Sequence, residues 1–249
     1  PLDDPLTFEL FQKGEMIGIF QFESDGMQKY LRDLKPENIE DLIAMNALYR
    51  PGPMDNIPLF IRRKMGTEKV EYPHEKLRDL LAPTYGILVY QEQIMQTAQI
   101  MAGYSLSSAD LLRRAMGKKK HEEMQRHRVL FVEGSMKNGI DENKAEEVFE
   151  LMARFADYGF NRSHAAAYSI LAFQTAYLKA HFPQQFMASV LTHNKNDITK
   201  LEFYLQESKR IGIVVLGPDI NESDLIFTVK GDRIRFGLSA LKGVGEGPV

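Results

Sequence analysis

The sequence has no cysteine and no tryptophan among its 249 residues. The absence of cysteine excludes disulfide bridges, thiolate nucleophiles, iron–sulfur clusters and cysteine-based zinc sites, and it fits a reducing compartment. Any metal would need carboxylate or histidine ligands. There is also no apolar run long enough to cross a bilayer and no charged-then-apolar leader. We therefore expect a cytoplasmic protein without membrane contact.

A strong excess of one charge is missing as well. The 31 Lys and Arg residues and 34 Asp and Glu residues give a formal net charge of −3. This balance argues against a protein that coats nucleic acid by bulk charge, so any nucleic-acid contact must come from a local patch. With 44% apolar and 26% charged residues, the composition is typical of a soluble globular protein. The chain starts at Pro1, and we expect it to be a piece of a longer chain.

The local patch lies in residues 109–120, which read ADLLRRAMGKKK. Helical spacing places Arg113 and Arg114 opposite an apolar face that includes Leu111 and Leu112, so the cations are expected to point outward.

The ends of this helix have their own signals. Ser107 or Ser108 is expected to cap its start, and Gly117 to end it. Three further cations then follow on an exposed connection: Lys118, Lys119 and Lys120. Five cations in eight positions, held on a packed base, suit the binding of a polyphosphate. A merely solvated basic face is the alternative interpretation.

The second informative stretch, residues 158–183, reads YGFNRSHAAAYSILAFQTAYLKAHFP. It predicts a helix from His164 to His181, apolar on nearly every side and therefore buried, with Ser163 as its cap. The positive end of such a helix, bracketed by Asn161 and Arg162, is suited to an anion.

Two side chains of this helix have open roles. Tyr168 lies one turn after His164 and could stack on a base or sugar. His164 could equally be a structural hydrogen bonder, and Ser163 could be a cap only. A nucleophilic pair of Ser163 and His164 is rejected, because helical neighbours do not face each other and no orienting acid is evident.

Two proline-containing turns hold further charged residues. Arg50 precedes Pro51-Gly52-Pro53, a rigid turn that would hold the guanidinium in one place, although Arg50 could simply complement a helix dipole. Asp3 and Asp4 could hold Mg²⁺, but adjacent acids beside prolines are more typical of a cap and turn.

The fold expected from these patterns is mainly α, within the α+β class. Residues 1–196 would form a helical domain with short strands at 17–22 and 85–90. Residues 197–249 would form a small α+β segment, in which IFTV and RIRF make a β-hairpin around Gly231-Asp232. The segment would then lead into a truncated helix-hairpin-helix within LSALKGVGEG, residues 238–247.

Six motifs occur in the order GIFQFES, ALYRPGP, YGILVYQEQ, LRRAMGKKK, YGFNRSHAAAY and KGVGEGP. In this order they resemble the alpha subunits of bacterial DNA polymerase III, the replicative family C polymerases. The likeness covers essentially the whole chain and is to the fingers region of that family. Arg162 stands where many members have lysine, which keeps the charge.

The resemblance implies part of a DNA-directed DNA polymerase, a nucleotidyltransferase of bacterial chromosome replication. The family's catalytic aspartates lie in a palm region that precedes the fingers, so we expect no catalytic residue, metal or cofactor here and an inactive fragment. Mg²⁺ is expected in the full-length enzyme, held by the palm. The expected partners are template-primer DNA, incoming dNTP, the palm domain, and the sliding clamp and other replisome subunits. The nucleotide- and DNA-binding residues would be Arg50, Arg113, Arg114, Lys118, Lys119, Lys120, Asn161, Arg162, Ser163, His164 and Tyr168.

A second hypothesis is a non-catalytic module that uses the basic patch to contact nucleic acid or a protein. Salt discriminates between phosphate and apolar contacts, because phosphate contacts weaken steeply with ionic strength.

Overall fold

The computed structural model describes residues 1–117, 121–156, 158–244 and 247. They form two compact units: a first unit of residues 1–37 and 170–249, and a second unit of residues 38–169. The domain boundary expected at residue 197 stays a prediction, because a compact group of residues need not be a domain that folds alone.

Within the described residues the fold is mainly α, as predicted, with a small sheet near the C-terminal end. The α-helices are α1 (Pro5–Lys13), α2 (Asp25–Leu34), α3 (Ile39–Leu48), α4 (Ile57–Lys64), α5 (Arg78–Leu81), α6 (Gln91–Ala102), α7 (Leu106–Gly117), α8 (His121–Lys137), α9 (Glu142–Ala156), α10 (Arg162–His181), α11 (Pro183–His193) and α12 (Ile198–Arg210). Short 3₁₀ turns cover Pro53–Asn56, Glu75–Leu77, Ala82–Thr84 and Leu238–Ala240. None of the helices in this part of the chain is long and apolar enough to span a membrane.

Helix starts follow the short polar side chains of the sequence. The Thr7 backbone N–H donates to Asp4 Oδ2 at 2.8 Å, so Asp4 caps α1. The Thr7 hydroxyl and His181 also bond this carboxylate, and together they lower the pKa of Asp4 to about 2. Ser24 caps α2 in the same way. The cap interpretation of Asp4 is therefore confirmed.

The core of the second unit lies among α6, α7, α8 and α9. From α7 it contains Ala109, Leu112 and Met116, all at most 1% exposed, and Ala115 is buried to the same degree. Leu111, which was expected on the same face, is 60% exposed. That expectation was wrong because the face of α7 that packs on the core is too narrow to include Leu111.

The first unit has an aromatic core. The Phe173 ring of α10 lies 5.2 Å from the Phe8 ring and 6.3 Å from the Phe11 ring, centroid to centroid. Phe22 packs edge-on against Phe11 at 5.6 Å. These contacts bury one side of α10, but Leu171 and Leu178 are 44% and 48% exposed. The expectation that α10 is buried on nearly every side was wrong, because an apolar helix is buried only where other residues pack on it.

The sheet has the order β1-β3-β2, with β1 at Val215–Leu216, β2 at Thr228–Lys230 and β3 at Arg233–Arg235. Strands β2 and β3 pair antiparallel with Val229 opposite Ile234, which confirms the predicted hairpin. Strand β1 pairs parallel to β3.

The strands predicted at residues 17–22 and 85–90 do not form. In the first, Gly18 and Gln21 have positive φ values of 81° and 64°, which break an extended chain. In the second, Tyr85 and Gly86 also have positive φ, and only an isolated bridge at Tyr90 remains in this described stretch.

Candidate functional site

The start of α10 is capped by Asn161. Its Oδ1 accepts the backbone N–H of His164 at 2.8 Å, and the helix begins at Arg162. Ser163, predicted as the cap, lies in the first turn and is exposed. The prediction was wrong by two residues, because an Asn side chain caps a helix at least as well as a Ser side chain.

A carboxylate already occupies the positive end of α10. Glu92 of α6 accepts the backbone N–H of Arg162 at 3.1 Å and 3.0 Å, one distance for each carboxylate oxygen. Its Oε1 also accepts from the Asn161 side-chain amide at 2.8 Å. The position predicted to bind an anion thus holds the carboxylate of Glu92, a residue of the protein itself.

The Arg162 side chain is held by a second carboxylate. Its Nη2 donates to both oxygens of Glu40, at 2.7 Å and 2.8 Å. Hydrogen bonding to Glu40 raises the pKa of Arg162 by more than partial burial lowers it. The guanidinium also lies 5.8 Å from the centre of the Tyr90 ring.

Four predicted or neighbouring side chains form a continuous series, which we call the aromatic row: Arg50, Phe160, His164 and Tyr168. The Arg50 guanidinium lies 4.3 Å from the centre of the Phe160 ring. The Phe160 and His164 rings are 5.3 Å apart and nearly perpendicular. The His164 and Tyr168 rings are 4.1 Å apart at 31°, which agrees with the predicted shared face.

Arg50 is fixed by backbone carbonyls. Its Nε donates to Ala47 O at 3.0 Å in the last turn of α3, and its Nη2 donates to Tyr158 O at 2.8 Å. Burial lowers the pKa of Arg50. Tyr158 lies against Gly52, where a Cβ would meet Tyr158 Cε1 at 2.5 Å. The guanidinium is thus held in one place, as the rigid-turn interpretation expected. Its bond to Ala47 O, a carbonyl at the C-terminal end of α3, also fits the helix-dipole interpretation.

Both arginines of α7 bind Asp110, one turn earlier. Arg113 Nε and Nη2 donate to Asp110 Oδ1 at 3.0 Å and 2.7 Å, and Arg114 Nη2 lies 2.8 Å from Oδ2. Hydrogen bonds from Arg113 lower the pKa of Asp110. The Arg114 side chain is 61% exposed, whereas that of Arg113 is 26% exposed. Arg114 thus points outward as predicted, and Arg113 is mostly covered.

The start of α7 differs from its prediction. The hydroxyl of Ser105 accepts the backbone N–H of Ser108 at 3.1 Å, and the helix begins at Leu106. Ser107 and Ser108 therefore lie inside the helix. The predicted site residues Lys118, Lys119 and Lys120 lie outside the described residues.

Three consecutive side chains at the start of α6 make the hydrogen bonds that link α6 to α7 and to the start of α10. Gln91 Nε2 donates to Gly159 O at 3.0 Å, and its Oε1 accepts from Arg113 Nη1 at 3.2 Å. Glu92 binds the start of α10, as above. Gln93 Oε1 accepts the backbone N–H of Val89 at 2.8 Å and closes the first turn of α6. Residues 91–93 thus connect α6 with α7 and with the start of α10.

Sequence reasoning did not single out these partners. The i,i+3 and i,i+4 spacing of Asp110 to Arg113 and Arg114 was a usable signal for the α7 ion pairs. No local signal pointed to Glu40 or Glu92, because each is far along the chain from its partner.

A cavity of about 560 Å³ lies beside the start of α10 in the second unit. Its wall includes Arg162, Glu40, Glu92 and Tyr90. Burial raises the pKa of the Tyr90 phenol. Among the described residues of the whole chain, no group of three or more His, Asp or Glu side chains is placed to hold a metal ion.

Comparison with known proteins agrees with the order of the motifs. Residues 1–139 match the family described as "Bacterial DNA polymerase III alpha subunit finger domain", and residues 212–249 match the family described as "Helix-hairpin-helix motif". The chain is 55% identical to the DNA polymerase III subunit alpha of Thermus aquaticus over 99% of its own length and 21% of that relative. It is 54% identical to that of Borreliella burgdorferi, over 98% of this chain and 21% of the relative. It is 53% identical to that of Bacillus subtilis, over 99% of this chain and 22% of the relative. The chain thus spans about a fifth of the length of these relatives, and it belongs to the family of bacterial DNA polymerase III alpha subunit finger domains.

Proposed function

We propose that this chain is the fingers portion of a DNA-directed DNA polymerase that holds the incoming dNTP and the template-primer during bacterial chromosome replication. The relatives that support this are named DNA polymerase III subunit alpha. The observation that carries the proposal is the grouping, within one compact unit, of the α7 arginines, the start of α10 and the aromatic row.

The triphosphate would be held by groups that now hold carboxylates. Arg113 and Arg114 share the single carboxylate of Asp110, while Glu92 binds the start of α10 and Glu40 binds the Arg162 side chain. A carboxylate and a phosphate are recognised by the same donors, bidentate guanidinium groups and free N–H groups of a first turn. These pairs therefore mark the places where phosphate oxygens would bind after the acids are displaced.

The aromatic row would contact the base or sugar of the nucleotide. His164 is exposed, and its ring lies 4.1 Å from the Tyr168 ring at an angle of 31°. Stacking on an aromatic face tolerates all four bases and contributes about 1–3 kcal/mol per base. Such a surface fits a polymerase, which must accept each nucleotide in turn.

The C-terminal residues would contact the DNA backbone. Residues 212–249 match a helix-hairpin-helix motif, and Gly243 has a φ of 86°, as a tight turn requires. Backbone N–H groups of such a turn can bind phosphate without reading sequence.

The chemical step would belong to another part of the enzyme. Phosphoryl transfer needs Mg²⁺ to neutralise charge on the transferred phosphates. Asp4, one candidate ligand, caps α1 by accepting the Thr7 N–H and is also bound by the His181 side chain. We therefore propose that Mg²⁺ is held by the palm, that this chain alone is inactive, and that it works with the palm, the sliding clamp and other replisome subunits in the cytoplasm.

A chimera tests the proposal. This chain would replace the matching region of the Thermus aquaticus relative, and primer extension would be measured. We expect the chimera to extend a primer and the R113A/R114A variant to lose at least about tenfold in rate, because hydrogen bonds to charged groups contribute about 1.5–3 kcal/mol each. R78A is the matched control, since Arg78 is also exposed and paired with an acid, Glu75. An inactive chimera, or equal rates for R113A/R114A and R78A, would contradict the proposal.

A binding titration separates the polymerase from a protein-interaction module. Fluorescence anisotropy of labelled primed DNA would be followed in the wild-type and R113A/R114A chimeras at two salt concentrations, with and without dNTP. The slope of log affinity against log salt should become shallower by about 1 for each arginine that contacts a phosphate. Binding that does not depend on salt would favour the interaction module.

A further inference from the structure

We infer that Gln91 is a positioning residue for the triphosphate, because it holds Arg113 of α7 against the segment that leads into α10. This inference rests on the proposed function. Gln91 is uncharged, so it would act on the triphosphate through Arg113 and would not attract the phosphates itself.

The amide of Gln91 uses both of its ends. Its Nε2 donates to Gly159 O at 3.0 Å, and its Oε1 accepts from Arg113 Nη1 at 3.2 Å. The amide can make both bonds at once because it carries a donor and an acceptor on one planar group. A glutamate would lose the donor, and a methionine of similar size would lose both.

The approach of Gln91 to the 158–160 segment depends on Gly159. A Cβ on Gly159 would meet Gln91 Cγ at 3.1 Å and Phe155 Cε1 at 3.2 Å, so the glycine leaves room for the amide. Two backbone bonds run beside it, from Gln91 N to Phe160 O at 2.9 Å and from Phe160 N to Val89 O at 3.2 Å. These bonds do not involve the Gln91 side chain, so they would keep the segment in place if that side chain were replaced.

Arg113 depends on Gln91 in a different way. Asp110 binds its Nε and Nη2, and Gln91 binds the remaining nitrogen, Nη1. The guanidinium is therefore oriented from two sides before any ligand binds. If phosphate displaces Asp110, the bond to Gln91 still directs the guanidinium toward the start of α10. A group oriented in advance binds more tightly because less freedom is lost on binding.

A double-mutant cycle in the chimera tests this inference. The KM for dNTP and kcat would be measured for wild type, Q91M, R113A and Q91M/R113A, together with thermal unfolding of each protein. We expect Q91M to raise KM about fivefold with a smaller change in kcat, as loss of one oriented hydrogen bond would predict. In the R113A background the same change should have no further effect on KM, because there is no guanidinium left to position. Gln99→Met is the control, since Gln99 is a half-buried glutamine on the same helix.

The outcomes separate the two claims. If R113A leaves KM and kcat unchanged, the proposed function is contradicted. If R113A raises KM but Q91M does not, or if Q91M raises KM by the same factor in both backgrounds, only the positioning role of Gln91 is overturned. Thermal unfolding adds a second criterion, because a purely structural role would lower the melting temperature of Q91M equally with and without Arg113.

Discussion

The carboxylate of Glu92 binds the backbone N–H of Arg162 through both oxygens, at 3.1 Å and 3.0 Å. Glu92 is in α6 and Arg162 starts α10, so the contact joins two helices through residues that are 70 positions apart in sequence. A negative group at this place satisfies a first-turn N–H that has no partner within its own helix. It also occupies the position that the proposed function assigns to a phosphate.

We predict that Glu92→Gln strengthens binding of dNTP to the chimera. The amide keeps an acceptor for the Arg162 N–H but carries no charge to compete with the triphosphate. A change of about threefold to tenfold in Kd is expected, since a charge at a helix N-terminus contributes about 0.3–1 kcal/mol or somewhat more when partly buried. Isothermal titration with a non-hydrolysable dNTP would measure it.

The control for that prediction removes a charge elsewhere. Glu133→Gln takes one negative charge from an exposed position of α8. Tighter binding in both variants would indicate a general effect of net charge, and weaker binding in Glu92→Gln alone would show that the carboxylate supports the site and does not compete.

Arg50 should be needed for the packing of Phe160. Arg50→Ala removes the bond to Tyr158 O and the contact with the Phe160 ring, and we expect a loss of about 1–3 kcal/mol in unfolding free energy. Arg50→Lys keeps the charge but cannot bind both Ala47 O and Tyr158 O in the same way, so it should recover less than half. Urea unfolding measures both. Arg126→Ala, at an exposed position of α8, should change stability by less than about 0.5 kcal/mol.

Gly52 should resist substitution more than Gly66 does. Both have positive φ, 96° and 71°, so alanine costs backbone strain of about 1 kcal/mol at either place. At Gly52 a Cβ would also meet Tyr158 Cε1 at 2.5 Å, whereas at Gly66 no atom lies within 4 Å. We therefore expect Gly52→Ala to destabilise by about 1–3 kcal/mol more than Gly66→Ala. Equal losses in chemical denaturation would show that Tyr158 moves away without cost.

A buried ion pair should make the first unit sensitive to acid. Lys179 Nζ donates to Glu207 Oε1 at 2.8 Å and to the carbonyls of Glu15 and Ile17, and the Lys179 and Glu207 side chains are 2% and 0% exposed. Burial alone would raise the pKa of Glu207, but hydrogen bonds from Arg210 and Lys179 outweigh it and lower the pKa. The folded-state pKa thus lies below that of the unfolded chain, about 4.3. The carboxylate adds stability above that pH, and the contribution is lost as pH falls through the folded-state value.

Unfolding free energies from pH 3 to 7 would measure this effect. Glu207→Gln should flatten the acid limb of the profile. Lys179→Met should destabilise by about 3–5 kcal/mol, because it leaves a buried carboxylate with one partner fewer. Lys13→Met is the control, since Lys13 forms an exposed pair with Glu9 that should contribute little to stability. Equal effects of the two lysine substitutions would contradict the role of burial.

Much of the fold could be predicted from the sequence. Helix positions, the α1 cap at Asp4 and the hairpin from 228 to 235 depend on residues a few positions apart. Such signals are local and can be recognised as caps, periodicity and turn residues. The predicted strands failed where positive φ values at Gly18 and Gln21 turned an apolar run into a series of turns. Short apolar runs do not distinguish a strand from an irregular buried segment.

The sequence by itself determined the helical class, the family motifs and the shared helix face of His164 and Tyr168, whose rings lie 4.1 Å apart. Only the tertiary structure decided which acid neutralises which cation. Glu40 reaches Arg162 across 122 residues, and Gln91 reaches Gly159 across 68. Contacts over such distances depend on how helices pack, and packing follows from the whole set of buried side chains, which no local pattern contains.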